Sequence, residues 1–228
     1  MIDIEIGNMV YKLPTDYSEI TLGKYMDIMK IDKDIKEVEK LMNIISILSE
    51  ISINDVRNIG ISQIKLIQKS LMFLFESKDH IQLQTIITIN GKKYGFNREL
   101  NNISIGEFTD LDTFSKSKDM EQLDYLMAVL YRPIDDSEYG LFNYKNIINK
   151  FLDKEDYRIK DYETNDFKTL TERKNLFREY MTIDIVLSSM FFFIILRLVF
   201  IQNMEKSLTP KQMEMFVKEK MIVMGIYS

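Results

Sequence analysis

The feature that most constrains this chain is an internal repeat. Residues 4–28 align without a gap on residues 87–111. Ile4, Ile6, Tyr11, Ile20, Gly23 and Asp27 recur as Ile87, Ile89, Tyr94, Ile103, Gly106 and Asp110. Thr21, Leu22, Tyr25 and Ile28 meet the related Ser104, Ile105, Phe108 and Leu111. After a one-residue shift, Leu41, Ile44, Ile45, Ile47 and Leu48 align on Leu123, Leu126, Met127, Val129 and Leu130. Such a spacing points to a duplicated supersecondary unit and restricts the fold to arrangements that use one unit twice.

Each copy reads as a hairpin followed by a helix. Ile4-Glu5-Ile6 and Met9-Val10-Tyr11 flank Gly7-Asn8, while Ile87-Thr88-Ile89 and Lys92-Lys93-Tyr94 flank Asn90-Gly91. Asn and Gly supply the positive φ values of a tight two-residue turn. A polar loop then leads to a helix start at Thr21 or Ser104. Ser104 and Glu107 have capping-box spacing: the hydroxyl accepts from the amide of residue 107 while the carboxylate reaches back. Lys24 stands at the acid's position in the first copy, which leaves only the hydroxyl cap. Gly23 and Gly106 fall in the first helical turn, where Gly costs about 1 kcal/mol relative to Ala. Meeting that cost twice predicts close approach of another backbone element.

Three apolar stripes extend the helical reading: Val38, Leu41, Ile45 and Leu48; Ile64, Ile67, Leu71 and Leu74 after Ser62 as N-cap; and Leu123, Leu126, Met127 and Leu130. Pro133 ends the third, because proline disfavours helical geometry in the residue before it. Residues 150–174 mix seven basic with seven acidic residues, the pattern of a solvated loop or exposed helix face. The fold class expected is α+β and predominantly helical. It divides into a first hairpin–helix unit (1–80), a second (81–150), a charged linker or exposed segment (151–175) and an apolar helical region (176–228).

Ile183 to Ile201 is apolar but interrupted by Asp184, Ser188, Ser189 and Arg197. Met190, Phe191, Phe192, Phe193, Ile194, Ile195 and Leu196 are apolar on every helical face, so water should not touch that turn. Two readings stand: a central core helix or subunit interface, which makes these seven residues the candidate interaction surface, or a segment that meets a membrane after a conformational change. Thr209-Pro210 starts a further helix, with Met213, Met215, Met221 and Met224 along it. Those thioethers suit an adaptable surface or serve as core filler.

Composition narrows the chemistry. Among 228 residues there is no Cys and one His, and 30 basic against 35 acidic residues give a net charge of −5. Disulfides, Cys-ligated zinc, iron–sulfur clusters and thiol nucleophiles are out. A paired-His metal site is out too, and any catalytic triad would rest on His80, read as a solvent-facing loop residue. No Walker A loop, Gly-x-Gly-x-x-Gly or Gly-x-Ser-x-Gly pattern is present. Asp135-Asp136 lacks the ligand alternation of a calcium loop. Arg132 reads as a lone cation favouring a helix C-terminus. The mildly acidic balance gives no support to a large nucleic-acid interface. The first residues carry no basic n-region or apolar h-region, so no secretory leader is expected. No catalytic residue, metal or cofactor is expected.

Ile103-Ser-Ile-Gly-Glu-Phe-Thr-Asp-Leu and Met127-Ala-Val-Leu-Tyr-Arg-Pro, with the Asn90-Gly91 hairpin, resemble small virion or assembly proteins of tailed bacteriophages. The resemblance is to crAss-like phages, in the class of cargo, tail-associated or assembly-chaperone proteins. It covers residues 85–135, with a weaker echo in 1–50, and transfers no catalytic residue. It implies a non-enzymatic virion-associated structural or cargo protein, made in the host bacterial cytoplasm and acting in genome delivery. Its partners would be capsid, portal or tail proteins and further copies of itself in an oligomer or ring. The alternative is an assembly chaperone that leaves before the particle matures.

Overall fold

The computed structural model describes residues 1–6, 9–75, 82–97, 103–117, 121–135, 157–163 and 166–205. Gly7-Asn8, His80, Asp136 and the Thr209-Pro210 helix with its methionines lie outside these residues. So do the side chains of Ile195, Leu196 and Arg197. The architecture is α+β, with helices as the majority and two small antiparallel sheets.

The first hairpin pairs β1 (Ile2–Ile6) with β2 (Met9–Leu13), and Ile4 and Leu13 turn into the core. A short 3-10 turn, Tyr17–Glu19, leads into α1 (Leu22–Met29). Then come α2 (Glu37–Ser49), α3 (Ile53–Val56) and α4 (Ile61–Ser70). The Val38 stripe is buried at Ile45 and Leu48, but Val38 itself, in the first turn, is 69% exposed. The N-cap of α4 lies two residues before the expected one: Gly60 caps the helix and Ser62 lies inside.

The second hairpin pairs β3 (Ile86–Ile89) with β4 (Lys92–Phe96). Asn90 and Gly91 have φ of 51° and 74°, as a mirror-image turn demands. Helix α5 (Ile105–Ser115) follows, then α6 (Leu123–Leu130). The two hairpins share one register: Ile4 faces Tyr11 and Ile87 faces Tyr94. Both following helices start at the same repeat position, after Thr21 and after Ser104.

The second unit has something the first lacks. Helix α6 ends directly in a strand, β5 (Tyr131–Pro133), which pairs with β4. Ile159 bridges to Ile134 beyond it, and Tyr157 donates to the Phe96 carbonyl at 2.7 Å. The Tyr157 ring fills the space over Gly95, where a β-carbon would sit 2.4 Å from it.

Two helices close the fold. Helix α7 (Phe167–Tyr180) packs on both α1 and α6. Helix α8 (Ile183–Glu205) sends Ile183, Val186, Leu187, Met190, Phe193 and Ile194 into one hydrophobic cluster that also holds residues of both hairpin units. The charged segment thus corrects the reading of residues 150–174. Helix α7 runs unbroken across the 175/176 division, and its Leu170 and Arg173 are buried because α6 covers that face. No helix among the described residues is long and apolar enough to cross a membrane.

Candidate functional site

The charged chemistry of the described core gathers where α7 meets the two hairpin–helix units. Thr21 and Ser104 are N-caps, accepting from the amides of Lys24 (3.4 Å) and Glu107 (3.1 Å). The first cap docks on the α7–α8 joint: Leu22 donates to the Met181 carbonyl at 2.7 Å, and Ile183 to the Ile20 carbonyl at 3.0 Å. Gly23 lies under the end of α7, where a β-carbon would sit 2.8 Å from the Arg178 carbonyl oxygen. This is the close approach its first-turn position predicts. Gly106 is half-buried at the equivalent place.

The acidic half of the capping box departs from expectation. The Glu107 carboxylate does not reach back to Ser104. It is buried, accepts from Asn97 Nδ2 at 2.7 Å and faces Arg132 at 3.4 Å. A buried carboxylate is stabilised more by a cation and an amide than by a cap already satisfied by the hydroxyl. Arg132 is accordingly no lone cation at a helix end. It lies on β5, 7% exposed, and its Nε has no hydrogen-bond partner among the described residues. Burial pushes the Glu107 carboxyl above the usual range, with Arg132 and the Asn97 hydrogen bond opposing. Burial likewise lowers Arg132, with Glu107 opposing.

Arg173 of α7 completes this joint. Its Nη1 and Nη2 donate in a fork to the two oxygens of Glu163, each at 3.1 Å. Its Nε donates to the Ala128 carbonyl in the last turn of α6 at 2.8 Å, where a cation also suits the helix dipole. Beside it, the Tyr162 hydroxyl donates to Asp110, and burial, then that carboxylate, raises the phenol.

A second cluster lies one turn along α7. Asp124 of α6 is buried and faces Lys174 and Arg178, both at 3.5 Å. Arg178 also pairs with Asp27 of α1 at 2.7 Å. The repeated aspartates therefore do parallel work: Asp27 holds Arg178 and Asp110 holds Tyr162. The position where the copies differ is used differently as well. Lys24 caps α2, donating to the Leu48 carbonyl at 3.0 Å and pairing with Glu50 at 2.7 Å.

Five of the seven residues of the expected interaction surface have described side chains, and three of these are internal. Met190, Phe193 and Ile194 are buried in this chain's own core, because α8 is enclosed by both units. Phe191 and Phe192 are half-buried, edge to face with centroids 5.8 Å apart. The sequence reading missed Asn97, Asp124, Glu163, Arg173, Lys174 and Arg178. One signal was available: Leu170 and Phe177 form an apolar stripe seven residues apart, and Arg173 and Lys174 lie between them on the same face.

Chemically, this arrangement neutralises buried charge and locks helices to one another. No group of acidic or His residues that could hold a metal ion occurs among the described residues. No protein family, curated protein or solved structure matches the chain.

Proposed function

We propose that the chain is a non-enzymatic, virion-associated structural or cargo protein of a tailed bacteriophage, acting through protein–protein contacts. The observation that carries this reading is the use made of the buried charges. Arg173 engages Glu163 and Ala128, Glu107 engages Asn97 and Arg132, and Asp124 engages Lys174 and Arg178. Each of these pairs joins separate elements of the fold, which supports a structural role. The resemblance of residues 85–135 to phage virion and assembly proteins supports the same reading.

Quantitative mass spectrometry of purified particles tests it. The protein is expected in mature virions at a fixed copy number, and a ring-like number would point to the portal–tail axis. Its absence from particles, with recovery on another virion protein from infected cells, would replace this reading with the assembly chaperone.

A further inference from the structure

We propose that the first hairpin joins copies of this chain edge to edge, β2 of one copy receiving β1 of the next. The proposal stands whether or not the chain enters a particle.

It starts from the difference between the two hairpins. In the second, the outer edge of β4 is occupied: Lys93 accepts from Ile134 at 3.1 Å, Gly95 faces Arg132, and Asn97 donates to Leu130 at 2.7 Å. In an antiparallel pair, alternate residues turn their main-chain groups outward. The common register assigns those outward positions in the first hairpin to Val10 and Lys12 on β2 and to Asp3 and Glu5 on β1. None of the four makes a hydrogen bond or ion pair beyond the hairpin among the described residues. All four are exposed, Val10 at 60%. Among the described residues, both edges of the two-stranded sheet are thus open to another strand.

Charge selects the occupant. The β1 edge carries Asp3 and Glu5, and the β2 edge carries Lys12. Two β1 edges would oppose acids to acids, and two β2 edges would bring lysines together. Joining β2 to the β1 of a second copy sets Lys12 against a carboxylate. The added strand runs antiparallel to β2, as β1 already does, so the contact is head to tail and repeats into a ring or filament rather than stopping at a dimer. The edge is short, so the association depends on concentration.

Sedimentation velocity of the full chain over a wide concentration range is the test. Species beyond the dimer are expected at high concentration. Val10→Pro removes only an outward N–H, leaves the internal ladder intact and should abolish association with an unchanged circular dichroism spectrum. Asp3 also faces Lys12 within the hairpin, so Lys12→Glu, and separately Asp3→Lys with Glu5→Lys, should each weaken association about tenfold while keeping the wild-type circular dichroism spectrum. Mixing these two charge variants should restore it. A chain that stays monomeric throughout, stops at a dimer, or associates equally well as Val10→Pro overturns the proposal.

Discussion

Gly23 lacks a β-carbon where one would strike main chain rather than a movable side chain. The nearest atom would be the Arg178 carbonyl oxygen at 2.8 Å, so α1 or α7 must shift to admit alanine. Overpacking of this kind costs about 1–3 kcal/mol, against about 1 kcal/mol gained in helix propensity. Gly23→Ala should therefore lower the urea midpoint with an unchanged m-value. A stabilised variant would show that the approach is looser than described. Glu107 adds a pH dependence. Its folded carboxyl keeps the proton above the ordinary value of 4.5, so in that window the folded state binds more protons than the unfolded one. Its contribution to stability falls as pH rises from 4.5 through the raised value, and above that the burial penalty stands in full. Urea titrations of wild type and Glu107→Gln from pH 4.5 to neutrality should show wild type losing ground to the variant as pH rises. A difference that is flat or grows the other way would contradict this.

Helix α7 is the element on which the two units meet. Its apolar stripe buries Leu170 and Phe177, and its cations sit between and beside them, so burial and ion pairing act on one face. Removing the guanidinium while keeping the volume isolates the ionic share. Arg173→Met breaks the fork to Glu163 and frees the Ala128 carbonyl, at a cost of about 2–4 kcal/mol since Glu163 keeps some solvent. Lys168→Met, on the exposed face of the same helix, should change stability by no more than about 0.5 kcal/mol. Equal effects of the two would place the strength of α7 in its apolar contacts alone. The charge pattern of this helix misled the sequence reading for a physical reason. A balanced mixture of Lys, Arg, Asp and Glu looks the same whether the partners are water or Glu163 and the acids of α6 and α1. Strand β5 was illegible on different grounds. Three residues ending in proline carry no alternation, and only the open edge of β4 makes Tyr131-Arg132-Pro133 a strand.

Across the whole molecule, some local features were legible and others, such as the Ser62 cap and the Glu107 half of the capping box, were not. The Asn90-Gly91 turn, the hydroxyl caps at Thr21 and Ser104, and the burial of the 183–194 segment follow from local patterns. The long-range pairs did not. Glu107 finds Arg132 across 25 residues, and Asp27 finds Arg178 across 151. Spacing cannot report such meetings, because the fold brings them about. The equal register of the two hairpins, their matching caps and the parallel use of Asp27 and Asp110 are what duplication of one unit would leave behind. The ionic joint is where the two hairpin–helix units meet a common helix, and its role is to tie these elements together. The double variant Glu107→Gln with Arg132→Met tests that role most directly, since it removes both charges and keeps an acceptor for Asn97. Arg132→Met alone should cost about 3–5 kcal/mol by leaving Glu107 buried and unpaired. The double variant should recover most of that loss in urea denaturation. A double variant no more stable than Arg132→Met alone would contradict a joint held by paired buried charges.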